Sequence, residues 1–546
     1  MSKAQNGAAE GSFRQAMAWL HTWGGLWACW VLFVIFLTGS LGVFDDPITR
    51  WTKPHLPQAS EATGESGLDD GFDRPQAVRT GMAWLAENAP AGHFWGIALP
   101  SDEDPNIRLF WEDAQEVFHN KSIDATSGQP VDTSHERDSE GGHHFVHMHF
   151  EFHGGTAGIW FVGAFTMAML VALVSGIVIH KRIFKDFFTF RPGKGQRSWL
   201  DAHNALSVLS LPFQLMIAYT GLATFYSLYM PAGVMAHYES DEAYFAELMA
   251  RPAPQELTGI AAPLTAMDEL LVHAEEGLGR PVSFISIEHP NDSSASVRVF
   301  GRFIEKPGEY RLLGDGGGQV FFNGVTGEQT DIQMPGELRG GSAQDVQSVM
   351  ANLHFAGFGG NLVRWLYFFS GLAGAAMLAT GALLFMVKRR QRSLNEFGAA
   401  TPRVYRLIEV LNIGTLTGLS IACIAFFWAN RLLPLSLPDR PEWEIVAFFA
   451  VWLLGFVHAA LRPPQRAWIE QLLALAALCA LLPLLNWLTV GEHLFVYLQR
   501  GDGERAGVEL VALGFGALSL WVAWRLSRPR TAPVRSRQRA AALEAQ

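Results

Sequence analysis

The chain has 546 residues, 49% of them hydrophobic and 17% charged, with a formal net charge of −11. So apolar a chain is not a string of soluble domains, and its acidic balance argues against nucleic acid as a partner. Cys29, Cys423 and Cys479 all fall in apolar stretches, which leaves no disulfide scaffold and no basis for a cysteine-ligated zinc or iron–sulfur site.

Charge-free apolar blocks of roughly 20 residues can cross a hydrocarbon layer of about 30 Å. They recur at 17–44, 155–180, 204–231, 362–387, 405–430, 443–461, 467–488 and 506–526, which predicts eight membrane-spanning helices. Residues 1–44 hold the N-terminus and the first span. That span is too long for a cleaved signal peptide, and LTGSLGVFDD offers no convincing small-residue cleavage site. Residues 45–150 are acidic and read as a small α+β domain. RPQAVRTGMAWLAENA (74–89) has helical spacing, and HFWGIALP, NIRLFWED and VFHNKSIDATSGQPV follow as strand-like runs. Residues 151–231 carry the second and third spans around the strongly basic HKRIFKDFFTFRPGKGQR (180–197). Residues 232–353 repeat the earlier order, with APLTAMDELLVHAEEGL (262–278) ahead of VSFISIEHP, SASVRVFGR and QVFFNGVTGEQT. The shared order, and the similar turns ATSGQ and GVTGEQ, point to an internal duplication. GDGGGQ (314–319) has no helix after it and reads as a hairpin loop, not a phosphate cradle. Residues 354–390 hold the fourth span, and 391–546 hold four more spans and a basic tail.

Lys and Arg in short loops resist translocation. The basic segments 180–197, 388–392 and 525–539 fall on one side if the chain starts in the cytoplasm. Both termini are then expected to be cytoplasmic, and the two acidic domains periplasmic in a bacterial inner membrane.

The histidines are the chemically loaded residues. HHFVHMHFEFH (143–153) holds five of the eighteen, immediately before the second span. An ionisable side chain beside a span is costly and therefore a functional candidate, and neutral imidazole is a common ligand of haem iron. On the outer side stand His143, His144, His147, His149 and His153, with His354 in NLHFAGFGG; on the inner side stand His21, His180 and His203. If the second span's helix runs back to residue 149, His149 and His153 share one face, one turn apart. The expectation is His153 with His354 at the outer face, and His21 with His203 at the inner one, with His180 as the rival. His153 and His180 lie about 40 Å apart along a helix, too far for one metal and suited to one redox centre near each surface. Gly24, Gly25, Gly39, Gly163, Gly176, Gly221, Gly371, Gly374 and Gly381 would let a flat macrocycle approach. His458 and His493 read as hydrogen-bonded surface groups, and His143–His147 equally well as a solvated metal binder. Trp95, Trp111, Glu112 and Asp113 are candidates for seating a cationic chelate.

Three stretches carry a family resemblance: WLHTWGGLWACWVLFVIFLTGSLGVFDDPITRW, HFEFHGGTAGIW through HKRIFKDFFTFRPGKGQRSWLDAHNALSVLSLPF, and HFAGFGGNLVRWLYFFSGLAG. They resemble the PepSY-associated transmembrane proteins, a group that includes inner-membrane ferric-siderophore reductases of the ferrioxamine-reductase type, over residues 17–390. The resemblance implies an all-α polytopic membrane protein with a haem-binding four-helix core and two small α+β PepSY-like periplasmic domains. It implies two haems b, electron delivery to a periplasmic ferric siderophore, His153 and His354 as outer axial ligands, and His21, His180 and His203 as inner candidates. Spans five to eight have no counterpart in the minimal four-helix members. No Rossmann or flavin fingerprint is present, so electrons are expected from a membrane quinol or a cytoplasmic reductase. A metal-ion permease would need buried carboxylates within the first four spans, which have none; a PepSY-domain sensor or scaffold would not need histidines on both faces.

Overall fold

The computed structural model describes residues 3–56, 73–101, 104–113, 117–131, 136–180, 191, 195–249, 255–303, 316–337, 339, 341–390 and 397–528. Most of the basic loop 180–197, the first part of GDGGGQ and most of the basic tail lie outside those residues.

Eight helices are long and apolar enough to cross a membrane: Ser12–Gly42, Gly155–Ile179, Gln196–Thr224, Gly360–Arg389, Gly398–Leu432, Arg440–Leu461, Pro464–Val490 and Gly503–Ser527. They are numbered as spans in this order. The third begins ahead of its apolar block because its first turns are tied down by polar groups. Asp201 accepts from the backbone N of Arg191 (3.1 Å) and from its guanidinium (2.9 Å). The most apolar stretches of the first and fifth spans are 61% and 67% buried, against 22–39% for the other six, so these two are the central helices of a pair of bundles. The first span packs on the second and fourth, and the third on the fourth. The fifth packs on the sixth and seventh, and the seventh on the eighth. A π-turn at Gly414–Gly418 bulges the fifth span where Gly418 and Gly455 bring it against the sixth.

The two extramembrane segments, which the sequence separates, form one antiparallel sheet. Its strands are β1 (Phe94–Ala98), β2 (Ile107–Glu112), β3 (Phe118–Ile123), β4 (Val282–Glu288), β5 (Ser296–Gly301), β6 (Gln319–Asn323) and β7 (Gln329–Gln333), in the order β3-β2-β1-β4-β5-β6-β7. The seam is β1 against β4, with Trp95 opposite Ile287 and Ile97 opposite Ile285. Alternate residues from both halves, Ile97, Leu109, Ile285 and Val299 among them, form one core under the helices Arg74–Asn88 and Met267–Leu278. Arg74 and Glu275 (3.2 Å) tie those helices together across the seam.

The paired turns carry the mark of duplication. Asp124 Oδ1 accepts from the backbone N of Ser127 (2.7 Å), and Asn323 Oδ1 from the backbone N of Thr326 (2.9 Å). Each turn closes on a left-handed glycine, Gly128 or Gly327, whose N–H bonds back to the carbonyl of Asp124 or Asn323 at 2.9 Å.

Candidate functional site

The histidine-rich segment does not continue into the second span. A separate helix, His143–Phe150, ends in a turn in which Phe152 and His153 take left-handed φ values of 53° and 54°. Gly155 (φ 53°) then opens the span. His149 and His153 therefore leave in different directions.

His149 is the one that meets His354. Their ring centroids are 5.9 Å apart at 31°. His149 Nδ1 lies 2.8 Å from the carbonyl of Ile35 in the first span. His354, near the end of the helix Gly341–Phe355, sets its Nδ1 3.2 Å from Thr220 Oγ1. Thr220 already donates its own hydrogen to the carbonyl of Met216 (2.8 Å), so it receives one from His354. In both rings Nδ1 carries the hydrogen, and Nε2 is left with a lone pair. Both helices lie outside the eight spans. Burial lowers the pKa of both imidazoles, His354 down to about 3 with His149 beside it adding to the effect. His354 is therefore neutral at any physiological pH.

The second pair stands at the opposite end of the same bundle. His21 and His203 have ring centroids 6.4 Å apart at 64°. His21 Nδ1 donates to the carbonyl of Ala172 (2.9 Å), and His203 Nδ1 to that of Met377 (3.0 Å). The Nδ1–H tautomer recurs, again on carbonyls of neighbouring spans. His180 stands apart: its Nε2 accepts from Asn204 Nδ2 (3.1 Å) at the end of the second span.

Each of the four rings rests on a helical glycine. A Cβ added at Gly39 would stand 2.5 Å from His149 Nδ1, and one at Gly221 2.8 Å from His354 Cε1. At Gly176 and Gly381 the distances to Cε1 of His21 and His203 would be 3.2 and 3.1 Å. Of the other glycines read as clearing space, Gly163, Gly371 and Gly374 face Tyr229, Ser40 and Phe36, and Gly25 faces nothing within 4 Å.

A cavity lined by both rings of the sheet-side pair opens there, walled by Leu32, Phe36, Val162, Met169, Phe213 and Ile217. Metal–imidazole bonds of about 2 Å on both sides of an iron require ring centroids roughly 6 Å apart, so both pairs fit bis-imidazole ligation of haem. Along the first span from His21 to Gly39, and along the third from His203 to Gly221, the pairs are separated by about 27 Å at 1.5 Å per residue.

The remaining candidates lie elsewhere. His153 does not face His354; it stacks on His144 (5.1 Å, 23°) and edges Phe449 of the sixth span. His147 contacts Glu151 (2.5 Å) and His143 contacts Asp45 (2.9 Å). Among the described residues no three His, Cys, Asp or Glu side chains converge as for a metal ion. Trp95 cannot seat a chelate: it is 1% exposed in the sheet core, with Nε1 donating to Ala89 O (3.0 Å). Trp111 stacks on His119, which Asp113 holds at 2.8 Å. His458 bonds Glu470 (2.9 Å), and His493 caps the backbone N of Phe495 (3.3 Å).

The family model of the PepSY-associated TM region matches residues 18–388, which include all four paired histidines. One curated relative, an uncharacterized protein of Pseudomonas aeruginosa, is 26% identical over 411 residues, covering 72% of this chain and 96% of the relative.

Proposed function

Since the chain belongs to the PepSY-associated transmembrane family, we propose that it is a di-haem b oxidoreductase of a bacterial inner membrane that reduces ferric siderophores on the sheet side and releases Fe²⁺. The observation that carries this reading is the pair of facing imidazole couples, each ring with Nδ1 committed to a neighbour and Nε2 left with its lone pair.

Haem bound between these couples supplies a one-electron Fe³⁺/Fe²⁺ couple within the apolar layer. The chain's own residues do the rest. His149 with His354, and His21 with His203, would hold the iron through their Nε2 atoms. Ile35, Ala172 and Met377 fix three of the rings through their carbonyls, and Thr220 the fourth through its hydroxyl. Gly39, Gly176, Gly221 and Gly381 keep the space beside each ring clear. The apolar wall around the sheet-side pair excludes water and favours the less charged state of a bound metal.

A siderophore holds Fe³⁺ through hard oxygen donors that grip Fe²⁺ far more weakly, so one electron frees the metal and leaves the chelator intact. Electrons enter from a quinol or a cytoplasmic reductase. In this reading the sheet lies in the periplasm and both termini in the cytoplasm, as the basic segments 388–392 and 525–539 favour.

The test is direct. Purified protein is expected to give a haem spectrum that sharpens on dithionite reduction, and the reduced form to be reoxidised by a ferric hydroxamate with Fe²⁺ trapped by ferrozine. A featureless spectrum, or reduced haem that persists beside an unreduced chelate, would sink the proposal.

A further inference from the structure

The family match ends at residue 388, yet four more spans follow and press a buried polar cluster against the segment that leads to His149. At its centre is Glu444 of the sixth span, with none of its surface exposed. It accepts from Asn430 Nδ2 (2.7 Å), from the Arg440 guanidinium (2.5 Å) and from Ser139 Oγ (2.6 Å).

Ser139 lies four residues ahead of the helix His143–Phe150. Its hydroxyl also takes the backbone N–H of Gly141 (3.0 Å). Just ahead of it Arg137 donates to the carbonyl of Asn430 (2.5 Å), and Arg440 to that of Asp138. The helix itself is seated on the same spans. The His144 ring stacks on Phe426 at 4.4 Å and 9°, and Phe145 packs on Phe426 and Phe427. A second branch runs through Arg431, whose guanidinium lies 3.9 Å over the Trp51 ring and donates to Asn486 (2.8 Å). Trp51 belongs to the short helix Asp45–Thr52, where Thr49 Oγ1 receives the backbone N–H of Gly142 (2.9 Å).

We propose that this cluster is the positioning device of the sheet-side pair: Glu444 and Ser139, braced by Arg431 and Arg440, fix the entry of the helix that presents His149. The proposal rests on the haem reading of that pair. Apolar packing alone would hold two bundles together without the cost of burying charge. Hydrogen bonds to backbone groups add direction, which packing does not, and an eight-residue helix cut off from its span by two left-handed residues needs its direction imposed.

The test uses the full-length protein with Ser139→Ala and Glu444→Gln. Amide exchange over residues 143–150 should quicken by about tenfold, the scale of one lost buried hydrogen bond. Exchange over the third span should stay as in wild type. The spectroscopic signal of the sheet-side pair should shift in potential or ligation while the far-side signal holds, and Ser139→Thr, which restores the hydroxyl, should return both readouts. Wild-type exchange and an unshifted sheet-side signal in both variants would overturn the proposal, as would a rise spread evenly over all spans. Should the wild type carry no haem, the functional reading fails alone, and the exchange measurement still decides the positioning.

Discussion

An imidazole ligates iron through the nitrogen that carries no hydrogen, so the partner of the other nitrogen decides which histidine is competent. His149 and His354 meet that condition and face each other; His153 spends its Nε2 on His144 at 3.0 Å. His149→Ala or His354→Ala should therefore lower haem content by about half, one site of two, and His153→Ala should leave it unchanged. The same comparison applies at the far side, where His203→Ala should abolish that pair's signal and His180→Ala should preserve it. Loss of haem in His153→Ala or His180→Ala would reverse the assignments. Burial also gives the sheet-side pair a pH signature in protein prepared without haem. His354 holds its proton only below about 3, whereas an unfolded histidine takes one near about 6.5. The folded state thus binds fewer protons, and its stability, intact above about 6.5, falls as the pH drops from there. The thermal midpoint should decline from pH 7 to pH 5, and less steeply in His354→Gln.

At the scale of elements, glycine placement and the broken helix do the selecting. A leucine at Gly39 would drive its Cβ to 2.5 Å from His149 Nδ1, pushing the ring off Ile35, whereas Gly25 meets nothing within 4 Å. Gly39→Leu is expected to lose the sheet-side signal and keep the far-side one, with Gly25→Leu as the silent control; equal behaviour of the two would remove the glycine argument. The sheet makes a different prediction. Because β1 pairs with β4, Trp95→Ala opens a cavity at the seam of both modules and should cost about 3–5 kcal/mol. Strands of both halves should lose exchange protection together, which two independent domains would not do.

Over the whole molecule, the four-helix bundle holds two sites about 27 Å apart, close to the thickness of the apolar layer it spans. Wild-type protein should carry two haems per chain, and His149→Ala with His203→Ala should carry none. Helical content by circular dichroism should survive that double change, since the bundle's core is made of side chains such as Leu32, Phe33, Met169 and Phe385 and not of the ligands. A collapse of helicity would mean that the histidines hold the bundle rather than a cofactor.

Hydropathy and periodicity are local properties, so the sequence alone determined the eight spans, the strands, the two glycine-closed turns and the short list of histidines. His21 and His203 could be chosen there too, because His21 sits inside the first span and His203 at the start of the third, whereas Lys181 and Arg182 draw His180 toward the headgroup zone. The partner of His354 could not. Uninterrupted helical spacing places His149 and His153 on one face, and only the left-handed backbone at Phe152 and His153 turns the second away. The merging of two repeats into one sheet, and the grip of Glu444 on Ser139, likewise join residues 186 and more positions apart. Such contacts leave no periodic trace in the chain; they are decided when long-range packing selects one arrangement among locally acceptable ones.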